Sequence, residues 1–227
     1  MITIGAATRQ GTGRNNADAG AVHRVPGTRI VGAAIVDGIG HHPLTPEWAR
    51  VAAGVAARVG PRRTATIGIL AAAELNSAGA GERIEPDGVA VLAVLEPGQP
   101  TEFAWTGDAR LYSWDGEQLH QRTTPHTVGE YLRNYGLPPD VTLPMDQWVT
   151  STLGRCSIAT VHNAATDDGL IILASDGIEQ VPSDELTELV RTLAEEPQTL
   201  AEAIVAAARE KADGYRDDTT VIVLATS

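Results

Sequence analysis

The sequence predicts an α+β protein in which a core of β-sheet carries helices on its outside. Two observations predict this. Short apolar runs bounded by turn residues recur along the chain, and between them lie two pairs of segments whose apolar residues return at helical spacing. The resulting order is strands, paired helices, strands, paired helices and a final strand, which a layered sheet core accommodates. At 227 residues the chain stays within the size that β-rich folds reach as one unit, so residues 1–227 are expected to form a single domain.

The elements follow in chain order. Strands are predicted around Ile2 to Ala6 and Thr28 to Val36, with "RVPGTR" turning the chain before the second. Thr45 and Pro46 have the form of a helix N-cap followed by proline at the first helical position. Trp48, Val51, Val55 and Val59 then recur at helical spacing until Gly60. A second helix is expected over Thr64 to Ser77, with Ile67, Leu70, Ala71 and Leu75 inward. From Gly88 to Arg122 four strand-like runs predict an antiparallel meander, its turns at Pro97-Gly98, Asp108 and Asp115-Gly116. Residues 123–150 show weak periodicity and are expected to form a long surface excursion. "GLIILAS" returns to sheet. Ser183 is an N-cap candidate ahead of Leu186, Leu189, Val190 and Leu193, and a further helix starts after Pro197 with Leu200, Ile204, Ala207 and Ala208. "TTVIVLATS" ends the chain as a strand. Trp105, Tyr112 and Trp114 sit at strand spacing as packing residues, Asp115, Asp167 and Asp168 suit turns, and Asp213 suits a helix end.

Composition limits the partners. A formal net charge of −12 opposes a general nucleic-acid surface or an anionic membrane surface, both of which attract basic clusters. No apolar run is long enough to cross a bilayer, and "MITIGAATRQG" lacks the basic start and apolar core of a signal peptide. The single cysteine, Cys156, has no internal disulfide partner, so a reducing, cytoplasmic location is expected.

Aspartates recur beside the strands: Asp37 in "AIVDGIG", Asp108 in "AWTGDARLY", Asp176 in "ILASDGI", and Asp217 and Asp218 in "YRDDTTVIVL". One such aspartate is a turn residue, because its side chain bonds the local backbone. Several that converge are different, since two carboxylates about 4 Å apart repel by roughly 4 kcal/mol at an effective dielectric near 20. Convergence therefore calls for a cation. The donors are hard oxygens, including the Gly38 carbonyl, with no cysteine or histidine pairing suited to zinc, so Mg²⁺ or Mn²⁺ is expected. A pair of such ions suits attack of water on phosphorus.

Taken together, "RNNADA", "VDGIGHH", "TGDARLY", "TSTLG", "LASDGI" and "RDDTTVIVL" resemble, in order and context, the motifs of the bacterial PPM family, the metal-dependent type 2C Ser/Thr protein phosphatases. The resemblance spans residues 9–224. It implies a four-layer αββα sandwich, two antiparallel sheets flanked by helix pairs, with a binuclear Mg²⁺ or Mn²⁺ centre at one end. By the same resemblance Asp37 bridges the two ions, Gly38 offers its carbonyl, and Asp176 and Asp217 are ligands. Asp108 would help to hold a weaker third ion, Asp18 would order water at the metals and touch one of them, Arg14 would bind phosphate, and His42 would act as general acid for the leaving oxygen. The implied substrates are proteins phosphorylated by a Ser/Thr kinase, and the enzyme is expected to act as a monomer in signal transduction.

Some positions depart from the family pattern. Ala17 replaces an acid or amide just before the motif aspartate, Gly13 occupies the arginine position with Arg14 one place late, and His41 replaces a glycine. Pro125-His126 stands where relatives often show Asp-His, and Asp218 stands for the usual asparagine. These departures leave open a second expectation, a pseudophosphatase that binds phosphoproteins through a weakened metal site, and a third, a hydrolase of small phosphorylated metabolites with residues 123–150 as its lid.

Overall fold

The computed structural model describes residues 1–40, 42–76 and 86–226, so His41 and the expected helix end at Ser77 lie outside the described residues. Ten strands and six α-helices are described: β1 (Ile2–Arg9), β2 (Ala19–Arg24), β3 (Val31–Ile39), α1 (Thr45–Val59), α2 (Ala65–Ala73), β4 (Asp87–Leu95), β5 (Thr101–Thr106), β6 (Arg110–Trp114), β7 (Leu119–Gln121), α3 (Val128–Asn134), α4 (Pro139–Thr142), β8 (His162–Thr166), β9 (Leu170–Ala174), α5 (Ser183–Leu193), α6 (Pro197–Ala207) and β10 (Thr219–Thr226). They form two antiparallel five-stranded sheets, ordered β1-β10-β9-β6-β7 and β2-β3-β4-β5-β8.

Strand alternation explains the layers. Along β3, Val31, Ala33 and Ile35 face the space between the sheets, where they join Val91, Phe103, Leu111, Ile171, Leu173 and Ile222. Ala34 and Val36, on the other face, pack with α1 and α2. On the far side Ile172, Val221 and Val223 meet Leu186, Val190, Leu200 and Ile204 of α5 and α6. Three apolar layers between four layers of secondary structure make the αββα sandwich.

The inner faces of α1 and α2 differ from the expected ones. In α1, Trp48, Ala49, Ala52, Ala53, Ala56 and Ala57 are buried, whereas Val51 is 46% exposed. Alanine lets the helix lie close on the sheet: a Cβ at Gly32 would stand 2.4 Å from the Ala57 carbonyl oxygen. In α2 the buried residues are Ala65, Gly68, Ile69 and Ala72, while Ile67 and, in the 3₁₀ turn after the helix, Leu75 are exposed. The helix starts also shift. Thr45 and Ser183 are the first helical residues rather than caps, whereas Thr64 caps α2 by accepting from the Ile67 amide at 3.2 Å.

The expected meander is broken between the sheets. β4 and β5 pair in one sheet, β6 and β7 in the other, and the chain crosses between them at Gly107-Asp108. Gly107 has φ +81°, and a Cβ there would lie 2.0 Å from Val89 Cγ1, so the crossing requires glycine. His126 pins it: the Gly107 amide donates to His126 Nδ1 at 3.1 Å and the His126 amide to the Gly107 carbonyl at 2.9 Å. Residues 123–150 contain α3 and α4 rather than plain loop. Arg133 of α3 ties the segment together, donating to both carboxylate oxygens of Asp146, beyond α4, at 2.9 and 2.8 Å. Strands β2 and β8 carry no apolar run and were not expected. Asp213 lies beyond α6, where its carboxylate takes the Tyr215 amide in a turn.

Candidate metal centre

Asp37 lies inside a strand rather than after one. β3 continues through it, pairing Asp37 with Val89, Gly38 with Gly88 and Ile39 with Asp87. Two glycines permit this crowding, since a Cβ on Gly88 would stand 2.4 Å from the Asp37 carbonyl, and one on Gly38 would stand 2.4 Å from Thr45 Cγ2 and 2.7 Å from the Ala17 carbonyl. Asp176 opens the 3₁₀ turn that follows β9, and its amide lies 3.5 Å from Asp37 Oδ2. Asp217 precedes β10, the strand next to β9, which brings it to the same rim.

These aspartates form a ridge between two cavities. One, of about 1160 Å³, runs beneath residues 143–150 and also meets Asp108, Arg110, Arg155 and Lys211. The other, of about 760 Å³, is lined by Arg14, Ala17, Gly38 and His42. Asp37, Asp176 and Asp217 line both. The two cavities therefore share Asp37, Asp176 and Asp217, whereas Asp108 lines only the larger and Gly38, Arg14 and His42 line only the smaller. Arg14 is exposed and engages no hydrogen bond or ion pair among the described residues. His42 uses Nδ1 to accept the Leu44 amide at 3.3 Å, which leaves Nε2 for the cavity.

Asp18 lines neither cavity. Its Oδ2 accepts the Ser175 hydroxyl at 2.6 Å, and burial pushes its carboxyl up to about 7, aided by Asp218 and Asp217 and opposed by Ser175 and Thr220. Asp37 and Asp176 are raised well above the carboxylate range, by burial first and then by neighbouring carboxylates. Asp108 is raised by burial while Arg110 opposes the shift. Arg110 is itself buried, bonded to the Asp108 carbonyl and paired with Glu179.

Among the described residues, no three His, Cys, Asp or Glu side chains are grouped tightly enough to chelate an ion by themselves. No described ion pair engages Asp37, Asp176 or Asp217 with a basic side chain. Hard oxygens without a basic partner fit a cation such as Mg²⁺, which takes few protein ligands and keeps several waters.

Sequence reasoning named Asp218 but not its role, and missed Asp87 behind the ridge. Asp218 accepts the Gly11 amide on Oδ1 and the Ala17 amide on Oδ2, both at 2.7 Å, closing the loop that carries Arg14. A carboxylate can take both donors, whereas an asparagine offers one acceptor oxygen. Asp87 anchors the "TSTLG" segment through Thr152 Oγ1 at 2.7 Å and the Gly154 amide at 2.9 Å. Ser175 was visible within "LASDGI", but its partner lies 157 residues away.

No family model matches the sequence, and no curated protein matches it. Solved structures do match in fold. A bacterial serine phosphatase is 17% identical with a TM-score of 0.78, covering 100% of this chain and 98% of its own. The serine/threonine phosphatase Stp1 from Staphylococcus aureus is 19% identical at TM-score 0.75, with 100% and 96% covered. The PPM Ser-Thr phosphatase MsPP from Mycobacterium smegmatis, in complex with cacodylate, is 24% identical at TM-score 0.71, with 99% and 98% covered. The chain shares the fold of these bacterial PPM-type phosphatases end to end.

Proposed function

We propose that this chain is a single-domain, divalent-metal-dependent phosphatase that hydrolyses phosphoserine and phosphothreonine in proteins. The observation that carries this reading is the ridge of Asp37, Asp176 and Asp217, contributed by three separate segments and shared by two cavities. The sandwich shared with Ser/Thr phosphatases supports the same reaction.

Asp37, Asp176, Asp217 and the Gly38 carbonyl would hold two Mg²⁺ or Mn²⁺ ions, with Asp108 beside a weaker third. Such ions, when bound, supply charge neutralisation at phosphoryl oxygens and a water nucleophile at neutral pH. Arg14, free and exposed, binds the phosphate, for which its planar guanidinium is matched. His42, on the same cavity, would serve as general acid in its imidazolium form, with Nδ1 protonated and released from the Leu44 amide and the Nε2 proton passing to the leaving serine or threonine oxygen. Asp18, hydrogen-bonded to Ser175 behind the ridge, is raised by burial to about 7 in the metal-free protein. The larger cavity, walled by residues 143–150, receives the polypeptide on either side of the phosphorylated residue.

Substrates are phosphoproteins made by a Ser/Thr kinase, and we place the protein in cytoplasmic signalling as a monomer. No helix among the described residues is long and apolar enough to cross a membrane. Hydrolysis of a phosphopeptide with Mn²⁺ or Mg²⁺, abolished by chelation and by Asp176→Asn, tests the assignment. Unchanged turnover in that variant sinks it, and metal uptake without turnover would instead mark a binding module.

A further inference from the structure

Of the four tyrosines, Tyr215 alone lines both cavities, and it is the one in contact with the carboxylate ridge. Its hydroxyl donates to Asp217 Oδ1 at 3.1 Å. The Asp218 amide donates to the same oxygen at 3.0 Å. No hydrogen bond among the described residues reaches Asp217 Oδ2. Two donors thus hold one oxygen and leave the other free.

A built turn presents the tyrosine. The Lys211 amide donates to the Tyr215 carbonyl at 2.7 Å, the Gly214 amide to the Lys211 carbonyl at 2.9 Å, and the Tyr215 amide to Asp213 Oδ1 at 3.0 Å. Gly214 takes φ +81°, a conformation that suits glycine. The Nζ of Lys211, the only lysine in the sequence, lies 5.4 Å from the centre of the Tyr215 ring. The ring is therefore fixed at backbone and side chain, although the residue is 43% exposed.

We propose that Tyr215 is a positioning residue for Asp217: its hydroxyl fixes the carboxylate so that Oδ2 serves as a single-oxygen ligand for a divalent cation. The inference rests on the metal-dependent reading above and adds a residue that the sequence motifs do not mark. A neutral donor suits the role. It orients the carboxylate without cancelling the charge that attracts the cation, and such outer hydrogen bonds typically govern metal affinity by 10- to 100-fold.

Calorimetric titration of Mn²⁺ into wild-type protein, Tyr215→Phe and Asp217→Asn tests it, with thermal melting of the chelator-treated proteins alongside. Phenylalanine keeps the ring over which Lys211 sits and removes only the hydroxyl. The expected result is Mn²⁺ binding weakened about tenfold or more in Tyr215→Phe, with an unchanged metal-free melting temperature and turnover restored at high Mn²⁺. Wild-type Mn²⁺ affinity in that variant overturns the proposal, as does weakened binding accompanied by an equal loss of metal-free stability. Failure of the wild-type protein to take up Mn²⁺ overturns the metal reading itself and this inference with it.

Discussion

The Ser175 hydroxyl donates to Asp18 Oδ2 at 2.6 Å while its own oxygen accepts the Thr220 amide at 2.9 Å. A carboxylate from near the start of the chain is thereby locked onto β9 and β10, in a place where burial favours its neutral form.

That lock gives a pH dependence. The Asp18 carboxyl is raised from 3.8 to about 7 in the folded protein, so between these values the native state holds a proton that the unfolded state has released. Its contribution to stability is fully present below pH 3.8 and is lost as pH rises through about 7. Metal-free wild-type protein should therefore lose stability from about pH 4 to 7 more steeply than Asp18→Asn, as urea unfolding across that range would show. Parallel profiles would refute the shift.

Asp218 clasps the loop of Arg14 with two charge-assisted bonds. Asp218→Asn keeps the shape but loses one acceptor, a change of about 1 kcal/mol for amides that are only part-buried. The expected outcome is lower urea stability together with a raised KM for phosphopeptide, the KM change reporting disorder at Arg14. A variant with wild-type values for both would show that the clasp is idle.

Arg14 is exposed and makes no hydrogen bond or ion pair among the described residues, so Arg14→Ala should leave the fold intact. The loss should fall on substrate affinity, with KM for a phosphopeptide raised about tenfold, equivalent to about 1.4 kcal/mol. Steady-state kinetics at saturating Mn²⁺ would check this, and an unchanged KM would remove Arg14 from the phosphate site.

Gly38→Ala places a methyl group 2.4 Å from Thr45 Cγ2 and 2.7 Å from the Ala17 carbonyl. Overpacking of this kind costs about 1–3 kcal/mol, and here it pushes β3 from the residue 17 loop and from α1. Reduced stability with loss of Mn²⁺ uptake is expected by melting and calorimetry.

Thr64→Ala removes the cap on the Ile67 amide at the start of α2, outside the lining of both cavities. Stability should fall by about 1 kcal/mol in urea unfolding. Catalytic constants should not move, which makes this variant a control for the others.

A sheet core with helices outside it, and the aspartates beside its strands, were legible because both are written locally. Apolar runs such as Leu170–Ala174 and Val89–Leu95 have no soluble alternative to a buried strand, and aspartates beside them need a partner wherever they meet. Strands β2 and β8 were not legible, since Ala19–Arg24 and His162–Thr166 lack apolar runs and owe their form to pairing with β3 and β5. The inward face of α1 escaped for a related reason: helical spacing identifies Val51 and Val55, but close approach to Gly32 selects the alanines.

Amino-acid order by itself determined the sheet core with its outer helices, the hard-oxygen character of the candidate ligands and the candidates Asp37, Asp176 and Asp217. Tertiary structure decided the rest: the chain's crossing between sheets at Asp108, the division of the rim into two cavities, the clasp of Asp218 and the bond from Tyr215 to Asp217. The physical reason is range. Propensity and periodicity act over a few residues, whereas a hydrogen bond such as that between Ser175 and Asp18 spans 157 positions and exists only once two sheets have packed.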